Sequence, residues 1–100
     1  MNTVRIGSVE FAKALADETR QEIMQICCCK WLSVGDIVAE LSVSQPTVSH
    51  HLAILRRAGL VEQRREGKQV FYTLNQSRLA DGCCVLAEDF APEYELNLHI

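Results

Sequence analysis

Ser44–Leu60, SQPTVSHHLAILRRAGL, is the stretch on which the fold is decided. Ser44 is suited to cap the first turn of a helix, and Pro46 is tolerated there because its missing N–H has no intrahelical partner. Val48, Leu52 and Leu55 recur at helical spacing and give one narrow apolar stripe to dock on a small core. Gln45, Thr47, Ser49, His50, Arg56 and Arg57 fall off that stripe. Gly59 stands where a left-handed residue stops a helix, and Leu60 is placed to pack back on Leu55. An amphipathic helix alone is usually an ordinary surface helix. Here a short helix, Gly35–Leu41, precedes it and a basic hairpin follows, with only Ser42 and Val43 to make the turn between the helices. So short a connection suits a helix-turn-helix, in which the second helix reads a DNA groove.

Beyond Gly59 the apolar period changes from helical to alternating. Leu60–Arg65 and Lys68–Leu74 read as two strands joined at Glu66-Gly67, with Val70, Tyr72 and Leu74 on one face. Such a hairpin is marginal alone and must lean on the helices. Its tip carries Arg64, Arg65 and Lys68, groups that grip phosphate and so fix position without specifying sequence. Phe71 and Tyr72 are better explained as strand packing than as platforms for single-stranded bases.

The charge is segregated. The chain is net −3, yet within residues 44–72 five basic groups face only Glu62 and Glu66, a surplus of three, so the remainder carries six excess negative charges. A basic patch on an acidic body is the electrostatic footprint of a DNA binder. No Gly-rich phosphate loop and no nucleophile–base pair is present, and an enzyme is not expected. One hundred residues, 48% of them apolar, fit a single domain over 1–100 with one modest core. The apolar run at Ile26–Cys29 is broken by Lys30, far short of a membrane span, and MNTVRIGSVEFAK carries no secretory signal; a cytoplasmic location and no membrane partner are expected.

Toward the N-terminus, residues 2–8 read as loose and Val9–Ala16 as a first helix with Val9, Ala12 and Leu15/Ala16 on one face. Asp17 caps a second helix, Glu18–Cys29, with Ile23, Ile26 and Cys27 inward and Met24 at the margin. Trp31 and Leu32 close the core, and Ser33 precedes the third helix with Ile37, Val38 and Leu41 inward. At the other end, Ser77 is read as the cap of a last helix running to Phe90, with Leu79, Val85, Leu86 and Phe90 apolar and Pro92 ending it. The tail Glu93–Ile100 has no clear assignment. The expected fold is therefore mainly α with a β-hairpin wing: about five helices and a two-stranded antiparallel hairpin.

SVGDIVAELSVSQPTVSHHLAILRRAGLVEQRREGKQVFYTL resembles the winged helix-turn-helix of the ArsR/SmtB family of bacterial metal- and metalloid-responsive repressors, and FAKALADETRQEIM resembles that family's first two helices. The resemblance covers roughly residues 8 to 75. It implies a homodimer, paired through the first and last helices, that binds double-stranded operator DNA and releases it when an inducer binds. It does not supply the inducer site. WLSVGDI stands where the family has ELCVCDL, so Ser33 and Gly35 replace the thiols of its familiar arsenic site. The histidines of its last-helix zinc site are missing around Arg78 and Asp89, and His99 is stranded in the tail.

The five cysteines fall as Cys27-Cys28-Cys29 and Cys83-Cys84, without the C-x-x-C spacing of a zinc knuckle or redox motif. A disulfide framework would be unusual in a cytosolic chain, and clustered reduced thiols point to a soft ion or to redox sensing. Taken singly, Cys27 reads as a small buried hydrophobe. Three consecutive residues of a regular helix fan through about 200°, so the triplet cannot converge on one ion unless the helix end loosens. Some members of the family bring a second-helix cysteine near a last-helix one, which implies a trithiolate from both clusters. Arsenite or another trivalent metalloid is the first inducer expected, then Cd, Pb or Zn, then thiol oxidation or persulfide. Adjacent His50 and His51 diverge by roughly 100° and are no metal pair; His50 is expected to face DNA and His51 to be partly buried.

Overall fold

The computed structural model describes residues 7–94, so the expectations for residues 2–6, for His99 and for the end of the tail fall outside the described residues. Five helices and a three-stranded antiparallel sheet follow in the order α1 (Ser8–Leu15), α2 (Glu18–Ile26), β1 (Leu32–Ser33), α3 (Val34–Leu41), α4 (Gln45–Arg57), β2 (Val61–Glu66), β3 (Gln69–Leu74) and α5 (Gln76–Phe90). The core is a single cluster that includes Phe11, Ile23, Ile37, Val48, Leu52, Leu55 and Leu60, and Met24 is buried in it.

Helix ends are set by the capping chemistry in the sequence. The Asp17 carboxylate accepts from the Arg20 amide at 3.0 Å. Ser33 and Asp36 form a reciprocal capping box at the start of α3. Ser44 accepts from the Thr47 amide, with Pro46 in the first turn of α4. Gly59, at φ +77°, ends α4: its amide donates to Arg56 O and the Leu60 amide to Leu55 O, both at 2.9 Å, the two bonds of a Schellman stop. Between α3 and α4, Ser42 takes a left-handed conformation, φ 57°, ψ 39°, that turns the chain sharply enough to seat one helix on the other.

Four local expectations are corrected. Helix α2 stops at Ile26, and the turn beyond it is fastened to the sheet, the free Cys27 carbonyl accepting from the Leu74 amide at 2.9 Å and the Thr73 hydroxyl at 3.1 Å. The hairpin gains a third strand, β1, paired Leu32↔Tyr72 and Ser33↔Phe71; two residues are too short to show an alternating pattern. The hairpin loop is Gly67-Lys68, closed by the Glu66↔Gln69 pair, with Gly67 at φ +63°. Asn75, not Ser77, caps α5, its side chain accepting from the Arg78 amide at 3.1 Å. On α1 the buried residues are Phe11 and Ala14, while Val9 (69% exposed), Ala12 and Ala16 line an open groove with Leu86 and Phe90. Phe90, expected to supply apolar contacts, is 80% exposed on that groove.

Candidate nucleic-acid interface and thiol cluster

Burying Val48, Leu52 and Leu55 turns the opposite face of α4 outward, and Gln45, Thr47, Ser49, His50, Arg56 and Arg57 are all exposed on it. The first turn is ordered from within: the Ser44 hydroxyl donates to Thr47 Oγ1 at 2.9 Å, so these two side chains present one fixed polar unit. His50 stays open to solvent. His51 is half-buried, as expected, and its Nδ1 lies 3.1 Å from Arg20 Nη1 while Nε2 lies 3.8 Å from Asp17 Oδ2. Arg20 also donates to the Ala14 and Lys13 carbonyls at 2.7 and 2.9 Å, tying the end of α1 to α2 and to the reading helix.

On the wing, Arg65 and Lys68 are exposed at and beside the tip. Arg64 differs from them. Its guanidinium lies 4.4 Å from the centre of the Trp31 ring and 3.2 Å from Glu66, so it is held down on the sheet. Trp31, read from sequence as packing alone, is thus also the seat of a wing arginine. A lone tryptophan and an arginine 33 positions apart carry no local signal of that contact.

The cysteines separate by environment. Cys27 is fully buried, and burial pushes its thiol up to about 11 against a smaller downward pull from Lys30. Beyond the end of α2 the helical fan no longer applies: Cys28 Sγ and Cys29 Sγ lie 3.0 Å apart, Cys28 half-buried and Cys29 exposed. The hydrogen bond to Cys29, with smaller contributions from burial and the Cys29 charge, holds the Cys28 thiol above its ordinary value. This turn is fastened to the sheet through the Cys27 carbonyl and to α5 through Gln76, whose Nε2 donates to the Cys28 carbonyl at 2.8 Å. Cys83 and Cys84 are half-buried two turns further along α5, roughly 10 Å beyond Gln76 at 1.5 Å per residue. Among the described residues no three His, Cys, Asp or Glu side chains gather as they would around a metal ion, so one chain does not by itself bring the two clusters together.

With the reading helix, wing and thiols in place, comparison with known proteins is decisive. Residues 17–63 match the model described as bacterial regulatory protein, arsR family. The chain is 36% identical to the transcriptional repressor SdpR of Bacillus subtilis over 69% of its own length and 77% of that protein's. The chain belongs to the ArsR family. It is 35% identical to the arsenical resistance operon repressor of Escherichia coli, over 87% of this chain and 75% of that one. The structure of HlyU from Vibrio cholerae superposes with a TM-score of 0.67 at 39% identity, covering 83% of this chain and 90% of that one, and its reduced form gives the same score and identity over 84% and 88%. As an ArsR-family protein it is a DNA-binding transcriptional regulator and not an enzyme. No helix among the described residues is long and apolar enough to cross a membrane.

Proposed function

We propose that this ArsR-family chain is a homodimeric repressor, released from double-stranded operator DNA when cysteine thiolates capture arsenite or a related soft metal or metalloid. The observation that carries the inducer half is the Cys28–Cys29 sulfur contact, placed on a turn bonded to both the wing strand and α5. Pairing through α1 and α5 is supported by the exposed groove of Val9, Ala12, Ala16, Leu86 and Phe90, an apolar face that a second copy would cover. In the dimer, Gln45, Thr47, Ser49 and His50 approach base edges, while Arg56, Arg57, Arg65 and Lys68 approach phosphates of adjacent major grooves about 34–36 Å apart. Arg64, engaged by Trp31 and Glu66, lies on the same wing and contributes less.

Cys83 or Cys84 would supply any third thiolate, across the dimer or after a shift of α5, and Cys27 is the least available of the five. Cytoplasmic residence goes with this reading, since the thiols must stay reduced. A second reading is favoured by the exposure of Cys29 and by the likeness to HlyU: oxidation or persulfidation of thiols, on the same fold, in place of metal capture. Titrating reduced protein on its operator with arsenite, Cd(II), Zn(II) and an oxidant separates the two. Release by arsenite or a soft cation under reducing conditions supports the first. Release by the oxidant alone replaces it with the second, and no release by any of them removes thiol sensing altogether.

A further inference from the structure

The thiol turn has two sulfurs in contact and, among the described residues, no third His, Cys, Asp or Glu ligand gathered with them. Cys28 and Cys29 are neighbours across a trans peptide, so their Cα atoms sit about 3.8 Å apart, inside the ~4.4 Å lower bound of ordinary disulfides. Direct closure to a disulfide is therefore strained, whereas one atom bridging the two sulfurs relieves that constraint. The occupant that fits is a soft centre with two exchangeable bonds and a third position already filled. Inorganic arsenite, with three exchangeable hydroxyls, asks for a third thiolate that the described residues do not bring here.

We propose that Cys28 and Cys29 by themselves form a two-thiolate site for a trivalent arsenical bearing one organic substituent, and that filling it acts on the wing through Trp31 and Arg64. The inference rests on the thiol-responsive reading above and narrows it to one pair and one ligand class. The step is an exchange without oxidation. Two As–O bonds of R–As(OH)2 break, two As–S bonds form, and each departing hydroxide takes a thiol proton to leave as water.

Closing that ring fixes both side chains and the peptide between them, and so resets the carbonyls that this turn offers its neighbours. Cys27 O holds the Leu74 amide and Thr73 hydroxyl at the end of β3, and Cys28 O holds Gln76 in the first turn of α5. Two residues beyond Cys29, Trp31 carries the Arg64 guanidinium 4.4 Å from its ring centre, and the next residues, Leu32 and Ser33, are β1 and the cap of α3. One short segment thus joins the sulfurs to the wing, to α5 and to the first helix of the helix-turn-helix.

Phenylarsine oxide, hydrated to the phenyl arsonous acid, is the probe, used on the reduced full chain. Intact-mass analysis should show one phenylarsenic adduct that has lost two waters, and peptide mapping should show Cys28 and Cys29 shielded from alkylation. Cys28→Ser or Cys29→Ser should weaken adduct formation on the order of 10²-fold by removing the chelate, while Cys83→Ser/Cys84→Ser leaves it unchanged. Trp31, the single tryptophan, should change its fluorescence as the site fills, and an Arg64→Ala variant should bind the probe equally but lose most of that change. Shielding at Cys83 and Cys84 instead, or an undiminished adduct in both single variants, would overturn the site. A silent Trp31 in a chain carrying the adduct would overturn the route to the wing. If the adduct forms and Trp31 responds but operator binding is unaffected, the site stands and the repressor-release reading fails. Operator release by phenylarsine oxide that survives loss of both thiols keeps that reading and sinks this one.

Discussion

The Phe11 ring lies so close over Gly82 that a β-carbon there would clash with Phe11 Cε1. Helices α1 and α5 therefore touch through a glycine, and the residue on α1 that fills the contact is 1% exposed. Gly82→Ala must displace the ring. Helix propensity favours the alanine by up to about 1 kcal/mol, but overpacking a fitted core costs about 1–3 kcal/mol. A net loss of stability is expected in urea unfolding. Because the same two helices carry the proposed dimer face, sedimentation should also show weaker self-association. An alanine variant as stable and as associated as the parent would mean that this close approach is not maintained in solution.

Asp17 begins α2 and also faces His51 of the reading helix. The backbone hydrogen bond from Arg20, with the nearby His51 and Arg20 charges assisting against burial, lowers its carboxyl below the ordinary 3.8. A depressed folded value gives stability that is fully present above the unfolded value and lost as pH falls through the folded one. Asp17→Ala should cost about 1 kcal/mol at neutral pH, Asp17→Asn less because asparagine also caps. The gap between wild type and Asp17→Asn should close as the pH is taken below 3.8. Denaturant midpoints measured across that range decide it, and a gap that widens in acid would show the cap does not depend on the charge.

Arg20 makes three contacts that no other residue could duplicate: Ala14 O, Lys13 O and His51 Nδ1. Hydrogen bonds from a charged group contribute about 1.5–3 kcal/mol each when partly shielded, and the partners do not add independently. Arg20→Ala should lower stability by about 2 kcal/mol. Arg20→Lys should recover less than half of it, because an ammonium cannot hold the planar fork. Thermal unfolding of the two variants tests this, and a lysine variant matching wild type would show that only the charge matters.

What the sequence made legible follows from the range over which its signals act. The caps at Asp17, Ser33 and Ser44, the Gly59 stop and the apolar stripe Val48–Leu52–Leu55 are each written within a few residues, and all are found in place. The exposed polar face of α4 and the basic wing tip follow from them. Long-range contact was not legible. The turn after α2 is anchored by Thr73 and Leu74, some 46 residues away, which donate to the Cys27 carbonyl that the helix end leaves free. For the same reason the triplet could not be judged as three helical positions. Likewise the helical period put Val9 and Ala12 on one face of α1 without saying what that face meets, and it is Phe11 and Ala14 that are buried in this chain's own core.

The wing gives the sharpest test of DNA contact, because its three basic residues are not equivalent. All three are exposed, but Arg64 alone is engaged by the Trp31 face and by Glu66. Each phosphate contact releases condensed counterions and contributes about 0.9 to the slope of log affinity against log salt. Arg65→Ala and Lys68→Ala should each reduce that slope by about 0.9, weakening operator and unrelated duplex alike, since phosphate carries no sequence information. Arg64→Ala should change the slope by clearly less than either, yet alter Trp31 fluorescence because the ring loses its cation. Substituting Gln45 or His50 should show the opposite pattern, an unchanged slope with selectivity for the operator reduced. Fluorescence anisotropy on operator and on random duplex, at several salt concentrations, separates these classes. Equal slope losses for all three wing residues would mean that Arg64 leaves Trp31 on binding, and no loss for any of them would mean that the wing does not reach the backbone.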